Sequence, residues 1–84
     1  MSFYVYIIKS AIDLSFYKGF TQNYIARLNQ HNEGWSKYTS RKIPWTLVYV
    51  EVYEDKKSAL AREKSLKKYG HKQIEALIIT SKNI

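Results

Sequence analysis

The chain has no cysteine, one proline and three glycines in 84 residues. Without a thiol, disulfides and thiolate-held zinc are excluded, and a reducing compartment is compatible. The glycines, Gly19, Gly34 and Gly70, are too far apart to build a glycine-rich phosphate loop, and no G-x-G-x-x-G occurs. No apolar run approaches the ~18 residues needed to span a bilayer. The start, "MSFYVYIIKSAIDLSFYKG", lacks the basic segment and small-residue cleavage site of a secretory leader. A cytoplasmic setting with no membrane association is therefore expected. The two histidines, His31 and His71, fall in no H-x-x-x-H pattern, which argues against a zinc hydrolase. Nothing resembles a nucleophile elbow.

Acid is also scarce. Seven Asp and Glu face fourteen Lys and Arg, leaving a net charge of +7. A small, strongly basic domain usually meets a polyanion, most often nucleic acid. Tyrosine is abundant, with eight copies. Exposed aromatics beside basic residues can stack on bases, and buried ones fill a thin core. The length suggests one domain over 1–84 with a marginal core, since a chain this short buries only about 60% of its unfolded surface.

The order of elements reads β-β-α-β-α-α. "FYVYIIKS" (3–10) alternates Tyr4, Tyr6 and Ile8 with Phe3, Val5 and Ile7, so both faces look covered. "AIDLS" reads as a loop, and "FYKGF" (16–20) as a second strand with Tyr17 and Gly19 on one face. In "TQNYIARLNQHNEG", Thr21 or Asn23 caps a helix that Gly34 closes. Ile25 and Leu28 form its expected core stripe, and Asn23, Arg27 and His31 a polar line. "WSKYTSRKIP" is a basic, aromatic loop before "WTLVYVEVY" (45–53), the most strand-like run of the chain. Asp55 caps a helix through about Lys68, which Gly70 ends, and "HKQIEALIIT" (71–80) reads as a last helix on Ile74, Leu77 and Ile78. The fold class is α+β: a three-stranded, mostly antiparallel sheet flanked by helices.

Several chemically useful residues can converge in such a fold. Tyr6 and Tyr17 share a phase, and Gly19 on that face would let a substrate backbone come close. Arg27 offers a planar, permanently charged fork for a phosphate, and His31 lies one turn on. Glu63 is an oddity, because its spacing puts it with Ala59, Leu60 and Leu66 on the stripe where a core should be. Each residue also has a plain structural reading. The tyrosines can be a cross-strand packing pair, Arg27 a solvated charge, and His31 a helix-end residue. Glu63 can be an ion-pair partner of Arg27, Lys56 or Lys67. From the residues alone, the reading stops at a basic α+β domain that binds a polyanion.

The ordered set goes further. "YVY" (4–6), "YKG" (17–19), "NYIAR" (23–27) and a glutamate in a later helix resemble the GIY-YIG nuclease superfamily. "RLNQHNEG" and "PWTLVYVEVYEDKKSALAREKSLKK" resemble its small single-domain bacterial members, and the likeness runs from about Phe3 to Lys68. The resemblance implies a metal-dependent DNA endonuclease, acting on branched or nicked forms. Tyr6, Tyr17, Arg27, His31 and Glu63 would be catalytic, with Glu63 as the ligand of one Mg²⁺ or Mn²⁺ ion. In the family mechanism a tyrosine, aided by its neighbours, activates a water on the metal ion, and no covalent enzyme intermediate forms. Gly19, Lys18, Lys37, Arg41 and Lys42 would contact substrate. The first motif glycine is Tyr4 here, and the motif isoleucines are Val5 and Lys18. Phe20 stands where some members carry lysine, so Lys18 or Lys37 would substitute for it. No asparagine matches the one that steadies the site in some members; Glu75 is near that place. Larger members add a DNA-binding domain, so here affinity would come from the module itself or from a protein partner that supplies targeting. A monomer acting on DNA is expected. The alternative is a basic nucleic-acid-binding module whose cleavage is weak or partner-dependent.

Overall fold

The computed structural model describes residues 2–81, so the expected 1–84 span extends beyond it at both ends. Three strands, β1 (Phe3–Ser10), β2 (Phe16–Thr21) and β3 (Trp45–Tyr53), form one antiparallel sheet in the order β2-β1-β3. Three α-helices accompany it: α1 (Tyr24–Asn32), α2 (Lys56–Leu66) and α3 (His71–Thr80). The basic loop before β3 holds one turn of 3₁₀ helix, Thr39–Lys42. The α+β class and the order of elements agree with the sequence reading.

The central strand is covered on both sides. Val5 and Ile7 pack with Tyr49, Ala59, Leu66 and Ile74 under α2 and α3. Tyr6 and Ile8 pack with Trp45, Tyr17, Tyr24 and Leu28 on the α1 side. Ile7, Ile8, Leu66 and Ile74 are almost completely buried, and each contributes roughly 1.5–3 kcal/mol of hydrophobic stabilisation. A bulge keeps this division. Ile7 pairs with Tyr49 but Ile8 pairs with Leu47, so Val48 is the extra residue and joins Tyr49 on the α2 side.

Two helical stripes differ from the sequence reading. Ile25 is 57% exposed, and α1 instead packs through Tyr24, Arg27, Leu28 and His31, with Arg27 half-buried and His31 fully buried. This i, i+3, i+4, i+7 stripe contains an arginine and a histidine, so a search for apolar side chains misses it. On α2, Leu60 is exposed and the inward stripe is Ala59, Arg62, Glu63 and Leu66. Arg62 reaches one flank. Its Nε and Nη2 donate to Glu51 of β3 at 3.0 and 3.1 Å, and its guanidinium lies 5.7 Å from the Tyr69 ring centre. Glu51 also accepts from the hydroxyls of Tyr49 and Tyr53. Burial alone would raise the Glu51 pKa, but Arg62 and the two tyrosines outweigh it and hold the carboxyl below its usual range. This clamp fixes the rotation of α2 about its axis, and with it the direction of the adjacent Glu63.

The caps explain the helix boundaries. The Asn23 side chain accepts from Ala26 N at 3.0 Å, and Asp55 from Ser58 N at 2.8 Å. Gly34 lies at φ 85 just past α1, a conformation that favours glycine. Gly70 does not close α2. It begins α3, its N–H donating to Gln73 Oε1 at 2.7 Å.

Candidate active site

On the α1 side of the sheet, β1 and β2 pair Tyr6 with Gly19 and Ile8 with Tyr17, which sets both motif tyrosines on one face. Their ring centres are 6.5 Å apart. His31 stands against both, 5.9 Å from the Tyr6 ring and 5.1 Å, edge-on, from the Tyr17 ring. The Tyr6 hydroxyl lies 2.9 Å from His31 Nε2.

Gly19 has a different role from the one read in the sequence. A Cβ there would sit 2.3 Å from the Tyr6 hydroxyl oxygen. The space a side chain would need is therefore filled by the Tyr6 ring, and the glycine lets that ring lie flat across β2.

His31 is held from behind as well. Its Nδ1 is 2.7 Å from Thr39 Oγ1, in the 3₁₀ turn, and Thr39 is fully buried. Trp45 Nε1 donates to the Thr39 carbonyl at 2.9 Å, and Asn32 exchanges two hydrogen bonds with the Trp45 backbone. These contacts carry the basic loop back under α1. Nothing in the local sequence around Thr39 marks it; only the partner eight residues away gives it a function.

The electrostatics follow from burial. Burial, and then the Arg27 charge, pushes His31 down to about 4, so it is neutral at pH 7. Burial pushes Tyr6 up to about 12, against an opposing hydrogen bond from Arg27 and with smaller raising effects from Tyr17 and Glu63. Arg27 also donates to Gln30 Oε1 at 3.0 Å. The neutral state of His31 makes a pH prediction. Its folded value lies below the ordinary 6.5, so between the two the unfolded chain binds more protons. Stability should fall as the pH drops through that window, by about 3 kcal/mol near its lower end. Urea unfolding at pH 7 and pH 4.5 checks this, and His31→Gln should flatten the dependence.

Glu63 lies half-buried on α2, near enough to influence Tyr6 through its charge. Lys67, one turn on, approaches its Oε2 to 3.5 Å. Their side-chain exposures, 18% for Glu63 and 56% for Lys67, make this a surface pair of small energetic weight. Lys67 also lines a cavity of about 310 Å³ with Phe16, Tyr17, Lys18 and Tyr38. No cluster of three or more His, Cys, Asp or Glu exists among the described residues. A donor set of one carboxylate fits Mg²⁺ or Mn²⁺ held mainly by water and phosphate oxygens rather than by a protein cage.

The sequence-predicted basic residues divide. Lys37 and Arg41 are exposed, and with Tyr38 and Lys42 they line a second cavity of about 510 Å³. Lys18 is on the wall of the Tyr17 cavity. Lys42 is engaged within the protein, with its Nζ 3.0 Å from Asp13 and 3.3 Å from the Tyr38 hydroxyl. It pins the β1–β2 loop more than it offers a cation to substrate. Glu75 is on α3, in an i, i+4 contact with His71 at 3.5 Å.

A small α+β domain with two tyrosines, a histidine and an arginine gathered beside a glycine, and a single carboxylate on a later helix, has the architecture of a GIY-YIG catalytic centre. The model of the GIY-YIG catalytic domain matches residues 2–75, and the chain belongs to that family. UPF0213 protein SAV0488 of Staphylococcus aureus (strain Mu50) is 42% identical over 78 residues, covering 92% of this chain and 94% of that one. UPF0213 protein SH2523 of Staphylococcus haemolyticus is 42% identical over 71 residues, covering 83% and 85%. The solution NMR structure of the UPF0213 protein BH0048 from Bacillus halodurans superposes with a TM-score of 0.63 at 30% identity, covering 99% of this chain and 88% of that one. No helix among the described residues is long and apolar enough to cross a membrane.

Proposed function

We propose that this domain is a metal-dependent endonuclease that hydrolyses DNA phosphodiester bonds, with branched or nicked DNA as the substrate forms. The convergence of Tyr6, Tyr17, Arg27 and His31 around Gly19, in a chain of this family, carries the reading. Glu63 would hold the single Mg²⁺ or Mn²⁺ ion, which would supply charge to the phosphate and its attacking water. Arg27 neutralises charge that develops on the phosphate. Tyr17 is half-exposed at a cavity wall, and with its own proton first released to solvent its phenolate Oη would take a proton from water. Tyr6, buried and held as a phenol, orients rather than ionises. Lys18, Lys37 and Arg41 line the approach to this cluster and contact backbone phosphates.

Flap, nicked, junction and single-stranded DNAs incubated with Mg²⁺ or Mn²⁺ test the proposal. Arg27→Ala should cut about a hundredfold more slowly, the scale of losing one preorganised charge-stabilising group. Arg27 is half-buried on the packing stripe of α1, so its unfolding curve should be recorded beside its rate. A variant that is folded and cuts at the wild-type rate would remove Arg27 from the mechanism. Binding should weaken steeply with salt, with a slope of roughly −0.7 to −0.9 per neutralised phosphate. Undetectable DNA affinity at low salt would overturn the reading.

The second reading is a nucleic-acid-binding module that cuts weakly or only with a protein partner. Lys67 favours it, because its ammonium stands 3.5 Å from the lone carboxylate that would hold the metal. Salt-dependent binding without cleavage of any DNA in the panel would select it.

A further inference from the structure

We infer that Thr39 is a positioning residue that fixes His31 as the tautomer protonated on Nε2, so that His31 donates to the Tyr6 oxygen and leaves the Tyr6 proton for the substrate. The last step rests on the endonuclease reading; the tautomer does not. A neutral imidazole carries one proton, and the hydrogen bond made by one nitrogen decides which nitrogen holds it. Two arrangements are possible. In one, Nδ1–H donates to Thr39 and the Tyr6 hydroxyl donates to Nε2. In the other, the Thr39 hydroxyl donates to Nδ1, and Nε2–H donates to Tyr6.

Three observations favour the second. Thr39 Oγ1 lies 2.7 Å from Nδ1, the separation typical of a hydroxyl donor. Nε2 lies 2.9 Å from the Tyr6 oxygen, the separation typical of an N–H donor. The other acceptor within reach of the Thr39 hydroxyl, the Ser36 carbonyl, is 3.5 Å away and already accepts from Ser40 N at 2.8 Å. The Thr39 proton therefore has its best acceptor in Nδ1. The burial of both residues keeps water from offering either an alternative.

The consequence falls on Tyr6. Arg27 is a donor without acceptor capacity, and it too faces the Tyr6 hydroxyl. With His31 donating, the phenol oxygen accepts from Nε2, and the nearby Arg27 guanidinium offers a further donor. Its own hydrogen is then not spent on His31. In the opposite tautomer that hydrogen would be spent on His31.

Long-range ¹H–¹⁵N correlation of the full, ¹⁵N-labelled chain at pH 7, without DNA, reads the tautomer directly. The wild type should show His31 with a protonated, pyrrole-like Nε2 and a bare, pyridine-like Nδ1. Thr39→Val removes the hydroxyl with little change of shape, so the bare Nδ1 should lose its hydrogen-bond donor and its ¹⁵N resonance should move downfield; Thr39→Ser should restore the wild-type position. In the cleavage assay Thr39→Val should be slower by about tenfold or more, the scale on which outer partners of a functional histidine act, and Thr39→Ser should be close to wild type. A wild type protonated on Nδ1 overturns the inference, as does a folded Thr39→Val whose Nδ1 resonance is unchanged. The wild-type spectrum needs no substitution, so it decides even if Thr39→Val fails to fold. An Nε2–H wild type that cuts no DNA would uphold the action of Thr39 on His31 and defeat the endonuclease reading.

Discussion

Glu63→Gln should abolish DNA cleavage and leave the protein at least as stable as the wild type. Glutamine is nearly the same size but lacks the charge that would hold a divalent ion. In the proposed role of metal ligand, Glu63 would keep a carboxylate in a half-buried place between Ala59 and Leu66, which costs stability when no ion is present. Its cation partner does not reverse that expectation. Losing one member of a buried ion pair would cost about 3 kcal/mol or more, because the other charge is stranded. Lys67, however, is 56% exposed, so its ammonium returns to water at little cost. Metal-free DNA binding should persist, and strengthen modestly, since the variant gains one unpaired lysine. Thermal unfolding, cleavage and metal-free binding on the same two proteins check the three parts. A variant that loses about 3 kcal/mol and still cuts would make Glu63 a structural residue and favour the binding-module reading.

Gly19→Ala should cost stability and cleavage together. The added methyl would lie 2.3 Å from the Tyr6 hydroxyl oxygen and 2.4 Å from the ring carbon that carries it. An exposed side chain could swing away. Tyr6 is only 2% exposed and packs with Ile8, Trp45 and Tyr17, so its ring must displace neighbours to move. Overpacking of this kind typically costs about 1–3 kcal/mol, and the upper end is expected for a contact this close. The displaced phenol would also leave His31 Nε2 without its 2.9 Å partner, so cleavage should drop to background. Chemical denaturation gives the first effect and the DNA panel the second. A Gly19→Ala protein as stable as the wild type would mean that the Tyr6 ring has another place to lie.

These residues also show what was legible before the structure. The strands were readable because each alternates with a period of two, and the shared face of Tyr6 and Tyr17 follows from that period and the hairpin. The caps at Asn23 and Asp55 were readable because their chemistry is local. The burial of Arg27, His31 and Arg62 was not, although spacing had already put Glu63 on the inward stripe of α2. All four sit on inward helical stripes, but side-chain type suggested Ile25 and Leu60 for those places. The polar residues are inside because their partners come from elsewhere: Tyr6 and Thr39 for His31, Glu51 for Arg62. Gly19 was legible as important and misread in purpose, since only a three-dimensional partner shows what occupies the space above it. Thr39 carried no signal at all, because its significance is one hydrogen bond across a loop.

The two tryptophans give the protein a pair of optical reporters with separate duties. Trp45 is 3% exposed and lies with its ring 6.4 Å from Tyr17, whereas Trp35 is 67% exposed at the start of the basic loop. Denaturation should shift the emission of Trp45 to the red, because water then reaches an indole that was dry. Trp35 already fluoresces in water, so a stacked nucleobase should quench it without that shift. A Trp35→Phe variant would then report the integrity of the cluster alone, and a Trp45→Phe variant the arrival of a ligand at the loop.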